Sequence, residues 1–79
     1  MCIGEKISVV ASFDLPYKLK PTSFRWSGRL FQIQEITYSW KTKEGSTDIY
    51  HFSVSDGKSL YELTFNAVSL VWTLENLEV

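Results

Sequence analysis

Cysteine, histidine, proline and helical periodicity are all scarce in this chain: 79 residues contain one Cys, one His and two Pro. Cys2 has no second thiol to pair with, so no intramolecular disulfide braces the fold and the core must hold it alone. One thiol and one imidazole, at positions 2 and 51, fall short of the clustered ligands of a zinc site. The carboxylates lack the loop spacing that holds calcium. Gly28, Gly45 and Gly57 stand singly between polar residues, which leaves no glycine-rich cradle for phosphate. No cofactor is implied. Apolar runs are strand-length, far below the roughly 20 residues of a membrane helix, so no membrane association is expected. A positively charged start leading into an apolar stretch and a cleavage site is also missing, and a cytoplasmic location is the expectation.

Aromatic residues are abundant: five Phe, four Tyr and three Trp. A chain this short buries only about 60 to 65% of its unfolded surface, and large rings raise the return on each buried position. From Thr22 to Leu77 apolar and polar residues alternate with period two, the pattern of half-buried antiparallel strands. Ile7, Val9, Ala11 and Phe13 predict a further strand, and the segment Asp14 to Pro21, with Pro16 and Pro21, predicts a connection or edge cover.

Turn chemistry sets the expected register. A two-residue loop at Ser27-Gly28 pairs Phe24 with Phe31 and Trp26 with Arg29. The same rule at Asp56-Gly57 pairs Phe52 with Tyr61 and leaves His51 opposite Glu62. At Asn66-Ala67 it pairs Tyr61 with Trp72, Leu63 with Leu70 and Phe65 with Val68. Each choice keeps the apolar set on one face, which a one-residue slip would not. Between Ile33 and Ile36 the alternation changes phase, so an extra residue at Gln34 or Glu35 is predicted to form a bulge that returns Tyr38 and Trp40 to the inner face. The inner set then also holds Tyr50, Val54 and Leu74. Such a face cannot stay exposed. The sequence therefore predicts an all-β fold, residues 1 to 79 as a single β domain: an antiparallel meander of five to six strands curled into a barrel or half-barrel.

Candidate chemistry is sparse. His51 with Glu62 is the one acid/base pairing the register yields, and a cross-strand surface pair explains it without catalysis. The chain reads as non-enzymatic. Charge is divided along it: Lys18, Lys20, Arg25, Arg29, Lys41 and Lys43 oppose Glu35 alone over residues 18 to 43, whereas the later part holds Lys58 against Glu44, Asp48, Asp56, Glu62, Glu75 and Glu78. A cationic segment with Tyr17, Trp26 and Trp40 suits single-stranded nucleic acid. Against this, Trp26 and Trp40 are expected in the core, with Arg29 resting over Trp26, and the pI of 5.7 is acidic. A binding module for a protein partner is therefore preferred. Nucleic-acid binding through the basic face is the alternative, and a small apolar ligand the second alternative. Arg25, Arg29, Lys41 and Lys43 are the candidate macromolecule-contact residues. A homodimer through a leftover apolar face or an edge strand is the other partner considered.

The residues Pro21, Phe24, Trp26, Gly28 and Arg29, then Trp40, then Tyr61, Glu62 and Leu63, then Trp72 and Leu74, form the pattern Pro-x-x-Phe-x-Trp-x-Gly-Arg followed by a strand ending in Trp, Tyr-Glu-Leu and a late Trp-x-Leu. This pattern resembles a family of small bacterial proteins of unknown function. The resemblance implies a shared fold and no activity. Some members of that family are encoded near translesion DNA polymerases, which implies a direction toward DNA metabolism, although this chain has fewer arginines and a shorter middle loop.

Overall fold

The computed structural model describes residues 2–14 and 18–78, and the side chains of Phe13, Asp14 and Lys18 fall outside that description together with Tyr17. Seven antiparallel strands make up one curled sheet, a half-barrel, in the order β3-β2-β1-β7-β6-β5-β4. They are β1 (Cys2–Asp14), β2 (Lys18–Trp26), β3 (Arg29–Gln32), β4 (Glu35–Glu44), β5 (Thr47–Ser55), β6 (Leu60–Asn66) and β7 (Val71–Glu78). That is one strand more than the upper expectation, because the long third strand of the meander is split. No helix long and apolar enough to cross a membrane is found among the described residues.

The first strand is no cover. It lies in the middle of the sheet, pairing β7 through Cys2–Ile7 and β2 through Ser8–Asp14. Residues Lys18–Pro21 belong to β2 rather than to a crossing connection, and Pro21 sits opposite Ala11 at a register shift, where a missing N–H is tolerated. The extra residue there is Thr22, whose hydroxyl donates to the carbonyl of Val10 at 3.0 Å.

The Ser27-Gly28 hairpin has the expected register, Trp26 opposite Arg29 and Phe24 opposite Phe31. Both loop residues have positive φ, 55° and 75°, as this turn type requires. The two later hairpins differ. Asp56–Ser59 is a four-residue loop: one Asp56 carboxylate oxygen accepts the N–H groups of Lys58 and Ser59, each at 2.9 Å, and the other accepts the Tyr61 hydroxyl at 2.8 Å. Ala67–Leu70 is likewise a four-residue loop, in which Asn66 Oδ1 accepts from Val68 and Ser69 and the Leu70 N–H returns to the Asn66 carbonyl. Aspartate and asparagine side chains that capture two successive N–H groups widen the turn by two residues. The partners therefore slide without changing face. Phe52 lies opposite Leu63, Val54 opposite Tyr61, Phe65 opposite Trp72 and Leu63 opposite Leu74. Val68 and Leu70 leave the inner face for the exposed loop tip.

Packing follows from that face. Phe24, Phe52, Val54, Tyr61, Leu63, Trp72 and Leu74 are buried, and Val54, Leu63 and Leu74, on the adjacent strands β5, β6 and β7, reach zero exposure. Phe24 stacks on Phe31 with centroids 5.1 Å apart and meets Tyr61 edge-on at the same distance. At the opposite end Trp72 packs on Phe65 and Phe52.

The loops make two testable statements. Leu70 holds φ at 59° with its side chain 68% exposed, so it carries backbone strain with little packing in return. Leu70→Gly should raise stability by about 0.5 to 1 kcal/mol in urea unfolding. Asp56 is held below its ordinary value of 3.8, chiefly by the Ser59 and Lys58 N–H groups. Its contribution is fully present above that value and is lost as pH falls through the lower folded value. Asp56→Ala should lower the unfolding midpoint at neutral pH and flatten the stability profile in the acid range.

Candidate functional site

The site is set by the point where β3 becomes β4. The Ile33 N–H bonds to the Thr22 carbonyl of β2 at 3.0 Å, and the next N–H, of Gln34, bonds to the Ser55 carbonyl of β5 at 2.8 Å. One continuous stretch of chain thus closes the curl at a single point and then diverges from β2. The Gln34 side chain lies against Gly57, whose φ of 94° suits glycine and whose missing Cβ leaves the room: a Cβ there would come within 2.9 Å of Gln34 Oε1. Beyond this apex the free edge of β2 before Ser23 and the free edge of β4 face one another, and among the described residues no Cα of β2 lies within 8 Å of one in β4.

Between them lies an open groove of about 1010 Å³. Leu19, Pro21 and Ile33 line one wall and Ile36 the other, with Phe52 and Tyr50 as the floor. Polar groups are interleaved: Ser12, Thr22, Ser39, Gln34 and Glu35, with Lys20 and Lys41 as the two cations. Among the described residues the one ion pair is Lys43 with Asp48 at 3.7 Å, so neither Lys20 nor Lys41 has a carboxylate partner.

A bulge at Thr37 decides what β4 shows to the groove. Ile36 pairs with Val54 and Tyr38 with Ser53, leaving Thr37 over, and its hydroxyl donates to the Ser53 carbonyl at 3.0 Å. The alternation inverts there. Ser39 and Lys41 lie opposite the inward Phe52 and Tyr50, whereas Tyr38 and Trp40 move to the outer face, contrary to the expectation. The phase break near Gln34 is present, but as the strand interruption itself, and the second shift at Thr37 carries no signal in an alternating sequence. On the outer face Trp40 stacks on His51 at 4.9 Å and 9° and tilts against Tyr38 at 5.3 Å. Tyr38 remains 66% exposed.

His51 does not meet Glu62. It lies opposite Thr64, and its Nε2 is 2.8 Å from Thr42 Oγ1. Glu62 lies opposite Ser53 and accepts from Asn76 Nδ2. The two-residue slide of the β5–β6 loop separates the expected acid/base pair. No cluster of three or more metal-ligating side chains occurs among the described residues.

The four candidate contact residues divide. Arg25 is exposed beside the Ser27-Gly28 hairpin, on the face away from Phe24. Arg29 places its guanidinium over Phe31 at 5.6 Å rather than over Trp26, whose indole N–H donates to Glu5 at 3.2 Å. Lys41 lies at the other end of the β3–β4 stretch with its ammonium 5.9 Å from the centre of the Tyr50 ring, and Lys43 is engaged by Asp48. Of the four, Lys41 alone lines the groove, joined there by Lys20, which the sequence placed in the cationic segment but not among the contact residues.

Compared with protein-family models, with the curated proteins and with the solved structures, the chain matches none.

An open groove has a signature in hydrogen exchange. Protection should be greatest in β6 and β7, which are paired on both sides, while alternate amides of β4 and the gap-facing amide of the Leu19–Lys20 pair should exchange as fast as the outward amides of the other end strand, β3. Uniform protection across β4 would mean that its outer edge is bonded.

Proposed function

We propose that this chain is a non-enzymatic binding module that takes hold of another protein at the groove between β2 and β4. The observation that carries the reading is the groove itself: an apolar floor, two cations with no carboxylate partner among the described residues and two strand edges without a described neighbour converge on one concave feature. Exposed edges invite pairing, and concave apolar surface with a few polar groups is the usual form of a recognition site. The distribution of cations favours protein over nucleic acid. Arg25 and Arg29 gather at one hairpin and Lys41 and Lys43 at the far end of the following strand, so they form no continuous track along which a phosphate backbone would run.

Chemical cross-linking and affinity capture with the full chain test this reading. Partner cross-links should fall on Lys20 and Lys41, and Ser39→Trp, which puts an indole over Phe52, should abolish capture without unfolding the sheet. A salt-sensitive complex with single-stranded DNA that is weakened by Arg25→Ala and Arg29→Ala, but is indifferent to Ser39→Trp, would overturn it.

A further inference from the structure

The groove also defines how a partner is held and what its chemistry must be. We infer that it is filled by strand addition: an extended segment of a partner protein pairs its backbone with the free edge of β4 and sets a carboxylate beside Lys41. This rests on the binding-module reading above and adds mode and chemistry to it.

Backbone geometry selects β4 as the template. It is the last strand of the sheet order, paired among the described residues with β5 alone, and has no proline in its ten residues, so alternate N–H and C=O groups point away from the sheet. The facing edge of β2 is poorer: Pro21 has no N–H, and the Thr22 carbonyl is already bonded to Ile33. A paired strand lies about 4.8 Å from its neighbour, and the space for it is the open groove of about 1010 Å³, across which no Cα of β2 comes within 8 Å of β4 among the described residues.

Side chains then fix the pattern of the incoming strand. On the groove side its residues meet Ser39 and Lys41 above Phe52 and Tyr50. This calls for an apolar residue toward Ile36 and Phe52, and a carboxylate two positions away at Lys41. Glu35, near the closed apex, repels an acidic residue there and so places the acidic end at the open mouth. On the outer side the incoming strand meets Tyr38 and Trp40, an aromatic ladder that ends at the sheet edge with Tyr38 still exposed, and a β-branched or aromatic residue completes it.

A second copy of the chain is the wrong occupant. Its own β4 would bring a second Lys41 into the groove beside the first. Inward-pointing lysines on an edge strand oppose pairing with uncharged or basic strands, and the same charges become attractive to an acidic one.

The experiment is selection of random displayed peptides of roughly ten residues, longer than a typical strand, on the full chain. Sequences with apolar residues and one terminal Asp or Glu in one phase, and a β-branched or aromatic residue in the other, should be enriched. Synthetic versions should bind Lys41→Glu about tenfold more weakly, while Lys-substituted versions regain affinity for that variant. N-methylating alternate residues of the best peptide in one phase should abolish binding, and in the other phase should leave it. Peptides that bind wild type and Lys41→Glu equally, or tolerate methylation in both phases, would overturn strand addition and leave a binding module of another kind. If no peptide is enriched and cross-linked partners avoid Lys20 and Lys41, both readings fall.

Discussion

Two adjacent amides, Ile33 and Gln34, donate to carbonyls on opposite sides of the sheet, and the shape of the molecule depends on that divergence. A strand that stayed with β2 would leave β5 without its neighbour, and one that left earlier would strip β2 of Phe31 and the stack it forms on Phe24. The split gives each half of the sheet part of one strand. It also leaves two edges that are near in space and unpaired beyond the apex. Gln34 lying on Gly57 holds the apex against the β5–β6 loop, where Asp56 gathers two N–H groups and the Tyr61 hydroxyl. The closed end is thus rigidly made and the other end is open.

The aromatics are distributed to match. Phe24, Phe31 and Tyr61 form a cluster near the closed end, with Arg29 over its rim. Tyr50, Phe52, Phe65 and Trp72 continue toward the open end, where Lys41 lies over Tyr50. A cation over a ring face at an exposed site contributes roughly 0.5 to 1 kcal/mol, too little to hold either side chain in place against a better partner. Arg29 belongs to a finished hairpin. Lys41 stands at an unfinished edge, and that difference is why it, and not the arginine pair, marks the groove.

Fold class and strand faces were legible because period-two alternation survives any slide by an even number of residues. That is why Leu63 and Trp72 were correctly expected inside although their partners were misjudged. The turns misled where Asp56 and Asn66 act as ligands for backbone N–H groups rather than as turn corners; the short Asp-Gly signal looks the same in both cases. Tyr38 and Trp40 were misplaced for a different reason. A bulge at Thr37 is stabilised by a hydroxyl reaching a carbonyl on the next strand, a tertiary contact with no local signature. The groove was illegible for the same cause, since it exists only because β4 leaves β2 and then turns Ser39 and Lys41 inward. Lys41 was among the candidates for its charge, whereas Lys20 acquires significance only from the strand across the gap.

The groove exists only because β2 and β4 do not meet beyond the apex. Backbone proton contacts in an NMR spectrum of the isotope-labelled chain test this directly. Cross-strand contacts should join β1 to β2 and β4 to β5, with none between Leu19–Thr22 and any residue of β4. A ladder of contacts across that gap would mean that the sheet closes into a complete barrel, with no edge left to receive a partner.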